Sequence, residues 1–474
     1  MTISLLSNVR CYMEAIVIFF VMLLLAQSSS AEDNDKQQAG IYEEAVKVLQ
    51  EYLKIDTTNP PGNEMNTAKF LKAVLEREGI QGQIFDLGDN RANFYAVLKG
   101  DGTKRPILLS HHMDVVSADA AYWKLPPFAG RIAAGEIYGR GAIDMKGKGI
   151  IDLMTMINLK RRNAPLKRDI ILLAVADEEV NSMGTQWLIQ NKPELIRTAE
   201  FLIDEGSNIR VGKNGQVHAY FFSIGDKMPL WLTIIFTGEP GHGSMPIPNS
   251  AVNRAINAAH KILNQECEFV VLADAKAEIE HRLFGQDARK ISGFEGDLDT
   301  LLQNEQFRKE LSKIPEINAL IKNTIAITCL KGSDKINTIP NQASISLDCR
   351  LLPGTDHLQF IEHLKKAIGD DTAIFKIEEF MPTCQSPTNT SFVKALEICA
   401  HRRHPQAKII PVLLTSSTDS SYYRRLGIHA YGFEPYAITD SEANLSHSND
   451  ERISIENIRF GIDLLTEMLL EMNG

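Results

Sequence analysis

The sequence predicts an α/β protein with a mostly parallel central sheet, interrupted by a smaller α+β domain of the ferredoxin-like type. Short, nearly continuous apolar runs alternate with helical segments in the first half of the chain, as in buried parallel sheets. The order of elements then changes near residue 224 to βαββαβ, which is the order of a ferredoxin-like domain. From about residue 385 the α/β alternation returns, so one domain is predicted to interrupt the other.

The first part of the chain supplies helices and short buried strands. Helical spacing of apolar residues covers 41–54 and 66–78, and the sequence NPPG at 59–62 separates the two helices. Four short apolar runs follow and predict strands of the central sheet, at residues 94–98, 106–109, 169–175 and 200–203.

The middle and last parts complete the two domains. Strands are predicted at 229–237, 325–330, 343–351 and 372–380, with helices at 250–263 and 356–368. A charged, helical insertion at 268–320 interrupts this smaller domain. The last part carries helices at 392–400 and 455–472 and strands at 409–414 and 430–433. The predicted ranges are 32–223 and 384–474 for the larger domain and 224–383 for the smaller one.

The N-terminus predicts a secretory signal. The run AIVIFFVMLLLA at residues 15–26 is shorter than the ~20 residues that a spanning helix needs. Small residues follow it up to Ala31, so residues 1–31 are interpreted as a signal peptide cleaved after Ala31. The mature protein is then secreted or periplasmic, with no stable membrane insertion. An uncleaved anchor through residues 15–26 is the less favoured alternative.

Composition narrows the classes of partner. The 474 residues include 50 Lys and Arg against 60 Asp and Glu, which gives a net charge of −10. Proteins that bind nucleic acid usually carry a basic face, so no nucleic-acid partner is expected. Five cysteines follow the predicted signal, and their spacing fits neither a zinc ribbon nor a CxxC redox motif. We expect most of them to be free thiols.

Histidine and acidic side chains follow several predicted strands directly. In an open α/β sheet, ligands bind beyond the carboxyl ends of the strands, so these side chains should converge. A glycine-rich turn at 139–141 would deliver one more carboxylate to the same place. The residues concerned are His112, Asp114, Asp144, Glu178, Glu179 and Asp204.

Several carboxylates at one place repel each other unless a cation offsets their charge. Histidine and carboxylate ligands without cysteine suit Zn²⁺, Mn²⁺ or Co²⁺. Two such ions that share a bridging carboxylate would together activate a water molecule and polarise a carbonyl group. The adjacent Glu178 and Glu179 can divide the work, one as metal ligand and the other as general base.

Four motifs in order resemble those of the M20 family of co-catalytic zinc peptidases, which includes aminoacylases, carboxypeptidases and deacylases. The similarity extends over nearly the whole mature chain. It implies a di-zinc-peptidase-like catalytic domain interrupted by a lid and dimerisation domain. The motifs are HMDVV at 112–116, YGRGAIDMKG at 138–147, DEE at 177–179 and NLSHSNDE at 444–451.

The resemblance implies a role for each residue at the site. His112 and Asp204 would hold one Zn²⁺, Glu179 and His447 the other, and Asp144 would bridge them, with Co²⁺ or Mn²⁺ as substitutes. Asp114 would orient His112, and Glu178 would be the general base. The adjacent Glu205 is the alternative ligand. The register of the strand favours Asp204 over Glu205. The family pattern also implies a cis peptide bond between Asp144 and Met145.

The predicted lid carries three substrate-binding candidates that rest on the same resemblance. His242, in GEPGHGS at 238–244, would stabilise the oxyanion. Asn337 would assist there or bind the substrate backbone. Arg350, in DCRLLPG at 348–354, suits bidentate capture of a substrate carboxylate. Some relatives form homodimers through the lid, so the resemblance offers a homodimer through this domain, whose interface the insertion at 268–320 would block or remake.

The main functional hypothesis is a metal-dependent amidohydrolase or peptidase. It would cleave the amide bond of a small peptide or an N-acyl amino acid that bears a free carboxylate. Two alternatives stay open from the sequence. One is a hydrolase of long-chain N-acyl amino acids, which pocket shape would decide. The other is a metal-binding protein without turnover, which the intact Glu178 argues against.

Overall fold

The computed structural model describes residues 40–285 and 291–474. The predicted signal peptide at residues 1–31 and the apolar run at 15–26 lie outside the described residues. Within the part of the chain that is described, no helix combines the length and the apolar character needed to cross a membrane.

The elements follow the predicted alternation closely, and the predicted strands extend by a few residues. The strands are β1 Gly82–Gly88, β2 Arg91–Leu98, β3 Ile107–His112, β4 Arg131–Ala133, β5 Glu136–Tyr138, β6 Ile170–Val175, β7 Phe201–Val211, β8 Val217–Asp226, β9 Met228–Thr237, β10 Gly241–His242, β11 Thr324–Lys331, β12 Thr338–Ile339, β13 Gln342–Leu351, β14 Ile374–Phe380, β15 Lys408–Leu414, β16 His429–Ile438 and β17 Arg452–Ser454.

The helices lie between these strands along the chain and at its two described ends. They are α1 over 40–53 and, in chain order, α2 Glu64–Arg77, α3 Lys146–Arg161, α4 Met183–Asn191, α5 Ala251–Leu263, α6 Ala273–Phe284, α7 Leu298–Leu301, α8 Glu305–Leu311, α9 Pro315–Ile321, α10 His357–Ile368, α11 Ser391–Arg403, α12 Ser420–Arg424, α13 Asp440–Ala443 and α14 Ile455–Asn473. Single 3₁₀ turns lie at Ala120–Tyr122 and Pro193–Leu195.

An eight-stranded sheet forms the larger domain, in the order β1-β2-β6-β3-β7-β16-β8-β15. Its centre is parallel, because β3 pairs in parallel with both β6 and β7, and β7 with β16. The apolar strands β3 and β6 are buried along their whole length, which explains their continuous hydrophobic sequence. The α/β fold with a mostly parallel central sheet is therefore confirmed.

Helices cover both faces of this sheet. The larger core packs α1, α2, α3, α11 and α14 against one face, and α3 is buried on nearly all sides because α14 lies over it. A second cluster lies on the opposite face and includes Leu188 of α4 and Tyr423 of α12. The candidate site lies where β3 and β6 end, beside the middle of β7.

The smaller domain is a four-stranded antiparallel sheet in the order β11-β13-β9-β14. With α5 and α10 between the strands along the chain, this is the predicted βαββαβ arrangement. Alternate residues of β13 are buried beneath the two helices. The opposite, open face of the sheet carries Arg350 and Asp348, with Trp231 directly across from Asp348 on β9. We refer to this domain as the lid; its exact boundaries stay a prediction.

The insertion is helical, as predicted, and its helices α6 to α9 form their own hydrophobic cluster. That cluster also takes in Leu352 from the lid and Leu413 from β15 of the central sheet. At the junction of β8 and β9, the buried ammonium of Lys227 donates hydrogen bonds to the carbonyl oxygens of Ala319 and Lys322. The insertion therefore contacts both domains and their junction.

The five cysteines within the described residues are free thiols: Cys267, Cys329, Cys349, Cys384 and Cys399. Burial raises the pKa of Cys349 to about 12 and that of Cys399 to about 11, so both stay protonated at neutral pH. Their role is that of small apolar side chains in the two cores.

Candidate metal centre

Five side chains converge at the carboxyl ends of the central strands. They form two groups that could each hold a metal ion, His112 with Asp144 and Glu205, and Glu179 with Asp144 and His447. In each group the ligand atoms lie within 4.8 Å of one another. Asp144 belongs to both groups, which is the arrangement expected of a bridging carboxylate.

The two oxygens of Asp144 face different histidines. Its Oδ1 lies 3.0 Å from Nε2 of His112, and its Oδ2 lies 3.2 Å from Nε2 of His447. The remaining contacts in the groups join His112 Nε2 to Glu205 Oε2 at 3.7 Å and His447 Nε2 to Glu179 Oε2 at 3.2 Å. Each histidine thus stands between two carboxylates, as metal ligands do.

The structure brings Glu205 into the first group instead of Asp204, which corrects the preference for Asp204. Successive side chains of a strand point to opposite faces. Asp204 therefore points away from the group and its Oδ2 accepts a hydrogen bond from Ser420 Oγ at 3.0 Å. The predicted strand ended at residue 203, whereas β7 continues to Val211, so both carboxylates lie within the strand.

The charges in this cluster are strongly perturbed because they are held out of water. Burial raises the pKa of Glu205 to about 8, although the hydrogen bond to His112 opposes the rise. Hydrogen bonds to Asp144 and Glu179 raise the pKa of His447 to about 10. For His112, burial lowers the pKa, but the hydrogen bonds to Asp144 and Glu205 prevail and raise it well above its usual value. The carboxylates around the two histidines therefore favour the protonated, cationic form of each imidazole.

The donor set fits two divalent cations. Each group offers one imidazole and two carboxylates and no thiolate, which is the nitrogen and oxygen coordination suited to Zn²⁺, Mn²⁺ or Co²⁺. His112 donates from its other ring nitrogen, Nδ1, which lies 2.9 Å from the carbonyl oxygen of Asp114. This contact fixes the ring so that Nε2 faces the site.

Asp114 occupies the predicted place but makes different contacts. Its carboxylate Oδ1 lies 3.7 Å from His112 Nδ1, beyond hydrogen-bond distance. Instead, Oδ1 accepts from the backbone N–H of Glu178 at 3.1 Å and Oδ2 from that of Glu179 at 3.2 Å. Asp114 therefore orients His112 through its main chain, while its side chain holds the two glutamates.

A buried network of hydrogen bonds and an ion pair next to the Asp114 carboxylate was not predicted from the sequence. Asn59 Nδ2 donates to Asp114 Oδ2 at 2.7 Å and to Asp177 Oδ1 at 2.8 Å, and Arg91 Nη1 lies 2.5 Å from the same oxygen of Asp177. The guanidinium of Arg91 also contacts the side-chain oxygen of Asn59. The NPPG sequence indicates a loop and not a polar contact, so this network could not be predicted from the sequence.

The loop that carries Asp144 is held by Glu451. Its two oxygens accept hydrogen bonds from the backbone N–H groups of Gly141, Ile143 and Asp144 at 2.8–3.0 Å, and Arg140 Nη1 donates at 2.5 Å. Glu451 belongs to the fourth motif but was given no role from the sequence. The peptide bond between Asp144 and Met145 is cis, as the resemblance implied.

Glu178 lies beside both groups without joining either of them. It is half-buried in the loop after β6, and Asp114 holds its backbone. Burial, together with the nearby carboxylate of Glu205, raises the pKa of Glu178 well above its usual value. A half-buried glutamate with a raised pKa next to ligand groups has the character of a general base.

The three lid candidates stand apart from these groups. His242 is exposed at the pairing of β10 with β12, close to Asn337, and its Nδ1 contacts Ser244 Oγ at 2.7 Å. Arg350 binds Asp348 through Nε at 2.8 Å and Nη2 at 3.2 Å. Within residues 40–285 and 291–474, no hydrogen bond or ion pair joins these three residues to the metal-ligand groups.

Comparison with known proteins decides which family this site belongs to. The sequence pattern of peptidase family M20/M25/M40 matches residues 108–471, which is well over half of the chain. This chain belongs to that family. As an M20 member it is a hydrolase of the metallopeptidase class, and the predicted family is confirmed.

The M20 relatives match at low identity over most of the chain. Aminoacylase-1 of Sus scrofa is 27% identical over 433 residues, covering 90% of this chain and 94% of the relative. The N-fatty-acyl-amino acid synthase/hydrolase PM20D1 of Mus musculus is 26% identical over 390 residues, covering 80% of this chain and 76% of the relative.

Among solved structures, the M20 metallo-carboxypeptidase Sso-CP2 of Sulfolobus solfataricus has a TM-score of 0.63 at 23% identity, covering 91% of this chain and 99% of that one. The Bacillus subtilis YXEP protein, a dinuclear metal binding peptidase of the M20 family, has a TM-score of 0.57 at 14% identity, covering 91% and 98%. These similarities confirm the M20 fold.

Proposed function

We propose that this M20 hydrolase cleaves the amide bond of small peptides or N-acyl amino acids that carry a free carboxylate, with two Zn²⁺ ions bound. The observation that carries the proposal is the pair of ligand groups that share Asp144, with Glu178 beside them. The names of the relatives support the substrate class, since they include aminoacylase-1 and a metallo-carboxypeptidase.

In this proposal His112 and Glu205 hold one ion, Glu179 and His447 hold the other, and Asp144 is shared. Bound ions would polarise the substrate carbonyl, acidify the attacking water and offset the charge of the carboxylates. Co²⁺ or Mn²⁺ would substitute, because sites of this type bind the available metal.

Side chains of the protein then carry out proton transfer, positioning and substrate binding. Glu178 takes a proton from the attacking water and later gives it to the leaving amine. Asp114 keeps Glu178 and Glu179 in place through their backbone N–H groups. Arg350 binds the substrate carboxylate from the open face of the lid, and His242 and Asn337 act at the oxyanion and the substrate backbone.

Substitution of the base tests the mechanism. We expect Glu178→Gln to reduce kcat by ~10²–10⁴-fold, because the proton acceptor is lost while the metal ligands stay. The measurement is turnover on a panel of dipeptides and N-acyl amino acids, with metal content determined on the same samples. Chelation should abolish wild-type turnover and Zn²⁺ should restore it. Undiminished turnover in Glu178→Gln with two metals bound would overturn the mechanism.

A second candidate substrate class has one observation in its favour. The relative PM20D1 is named as an N-fatty-acyl-amino acid hydrolase, and it matches 80% of this chain. The same panel should therefore include N-acyl amino acids of rising chain length. A kcat/KM that rises steadily with alkyl length would replace the short substrates of the main proposal with fatty-acyl ones.

The exposed His242 raises the question of how it reaches the substrate. We propose that it acts in a homodimer formed through the lid, where each copy supplies His242 to the site of the other. Mixing His242→Ala with Glu178→Gln should then restore about one quarter of wild-type activity, since half the dimers are mixed and have one intact site. Sedimentation gives the oligomeric state. A monomer, or a mixture without activity, would instead indicate closure of the lid within one chain.

The proposed location of the enzyme is outside the cytoplasm, secreted or periplasmic. The apolar run at residues 15–26 with small residues up to Ala31 supports a cleaved signal. N-terminal sequencing of the protein exported by a secreting host should begin at Glu32. A protein that retains residues 15–26 in the membrane fraction would support the anchored alternative.

A further inference from the structure

A cavity lies between the insertion and the central sheet. Its volume is about 630 Å³, within the range of small-molecule sites. Helices α6 and α9 form one wall, and strands β7, β8 and β15 form the other. Neither domain alone would enclose this space, so the insertion creates it.

Two residues that line the cavity are close in the chain to residues of the metal-ligand groups. Gly206, which lines it, directly follows Glu205 on β7. Asn444, which also lines it, precedes His447 by three residues. From this closeness we infer that a substrate whose carbonyl group lies at the metal groups extends toward the cavity on one side of the scissile bond.

The next stretch of the wall is apolar. Ile317 and Leu320 of α9 and the strand residues Leu413 and Leu414 line this stretch. This stretch accommodates a short chain of methylene groups, because moving such groups from water to an apolar wall is favourable.

The far end is polar and carries both cationic and acidic side chains. Arg210 and Arg282 both line it, and the rings of His218 and His281 stack there with centroids 5.0 Å apart. Burial lowers the pKa of His281 to about 4, and the neighbouring His218 acts in the same direction, so His281 is neutral at physiological pH. Three carboxylates line the cavity beside the two guanidinium groups, those of Glu278, Glu316 and Asp440.

These two guanidinium groups differ in their partners. Arg282 donates from Nε and Nη2 to one oxygen of Glu278 at 2.9 Å and 2.6 Å. Arg210 Nη1 is buried and makes no hydrogen bond within the described residues; its ion-pair partner is Asp440 Oδ1 at 3.5 Å, on a side chain that is 86% exposed. A buried guanidinium donor without a hydrogen bond is costly, and a carboxylate is the group that satisfies it best.

We propose that the cavity receives the acyl side of the substrate and that Arg210 selects acyl groups ending in a carboxylate. Such groups include an ω-carboxyacyl chain or an acidic aminoacyl residue. A plain long alkyl chain fits poorly, since its end would cover Arg210 and the imidazoles without hydrogen-bonding them. This inference rests on the proposed function and narrows its substrate class. The substrate would thus bear two carboxylates, one for Arg350 and one for Arg210.

The test compares matched acyl groups in three proteins. N-succinyl, N-glutaryl, N-adipoyl and N-suberoyl amino acids are compared with N-alkanoyl partners of equal chain length, in wild type, Arg210→Gln and Lys309→Gln. We expect wild type to prefer the acidic series, and Arg210→Gln to lower the acidic-to-neutral ratio of kcat/KM about 10–100-fold through KM. Lys309 lies on α8 of the insertion and is 63% exposed, so its variant controls for loss of one positive charge.

Two results would overturn the inference. One is an unchanged acidic-to-neutral ratio in Arg210→Gln. The other is a wild-type kcat/KM that rises with alkyl length and is the same for acyl groups with and without a terminal carboxylate. Should Arg210→Gln fail to fold, Arg210→Lys keeps the charge but not the bidentate geometry, and should lower the same ratio by a smaller factor.

Binding of adipate separates this inference from the proposed function. If no amide is hydrolysed, the proposed function fails, and calorimetry with adipate on the same proteins still tests the cavity. Adipate binding that is lost in Arg210→Gln and kept in Lys309→Gln would support the cavity as a carboxylate site. Equal binding in all three proteins would overturn it.

Discussion

Two neighbouring carboxylates on β7, Asp204 and Glu205, point to opposite sides of the strand and meet different partners. Glu205 faces His112, and Asp204 accepts a hydrogen bond from Ser420. The sequence predicted that a carboxylate at this strand end would serve the site, because the apolar run ends there. The sequence did not determine which of the two carboxylates faces the site. The strand β7 continues through polar residues to Val211, and no alternation of apolar residues distinguishes its two faces.

The two carboxylates should therefore differ in their effect on metal binding. We expect Glu205→Gln to weaken metal affinity by more than about 100-fold, and Asp204→Asn by less, because only Glu205 supplies an atom to the ligand group. Metal content and affinity of the two purified variants, measured side by side, check this. Stronger loss in Asp204→Asn would mean that the groups rearrange when metal binds.

Metal binding should also depend on pH through the same residue. The pKa of Glu205 is raised to about 8, and a metal ion must displace the proton that this carboxyl holds below that pH. Affinity should therefore rise as the pH increases from about 6 to about 8 and level off for this group above it. Calorimetry in two buffers of different ionisation enthalpy measures the protons released. Proton release that stays constant across this range would contradict the raised pKa.

At the scale of elements, the glycine-rich turn before α3 is shaped by a residue far along the chain. Glu451 lies just before β17 and accepts hydrogen bonds from three backbone N–H groups of the Asp144 loop. The turn itself was predicted from its glycines. Its partner could not be, because nothing in either segment specifies which buried acid meets the loop.

Removing that carboxylate should destabilise the protein markedly. We expect Glu451→Gln to lower the free energy of unfolding by about 3–5 kcal/mol, since it leaves Arg140 buried without its charge partner. Urea unfolding measures the loss. Glu456→Gln, at a glutamate that is 81% exposed, is the matched control and should change little. Equal stability of the two variants would show that the loop does not depend on the Glu451 charge.

On the scale of the whole molecule, the order of the elements predicted most of the architecture. The apolar runs gave the central strands, and the βαββαβ order gave the lid. The sequence could not show that the insertion packs against β15, because amphipathic helices indicate that a face is buried and not what covers it. Leu413 shows this, since it lies on β15 yet belongs to the core of the insertion.

Loss of that contact should affect the insertion first. We expect Leu413→Ala to destabilise the protein by about 2–5 kcal/mol and to expose the insertion at 268–320 to proteolysis before the central sheet. Limited proteolysis with mass spectrometry identifies the first cuts. Leu263→Ala, at a lid side chain that is 73% exposed, should leave the digestion pattern unchanged. First cuts elsewhere in Leu413→Ala would mean that the insertion is held by its other contacts.

The open face of the lid also provides an optical signal. The chain has three tryptophans, and Trp231, on the same face as Arg350, is 40% exposed, whereas Trp123 is buried and Trp187 packs beside Phe85. Indole fluorescence shifts to shorter wavelength when water leaves the ring. Substrate that engages Arg350 should therefore cover Trp231 and shift the emission to the blue. Intrinsic fluorescence can thus follow substrate capture by the lid without any added label, and Trp231→Phe removes the signal.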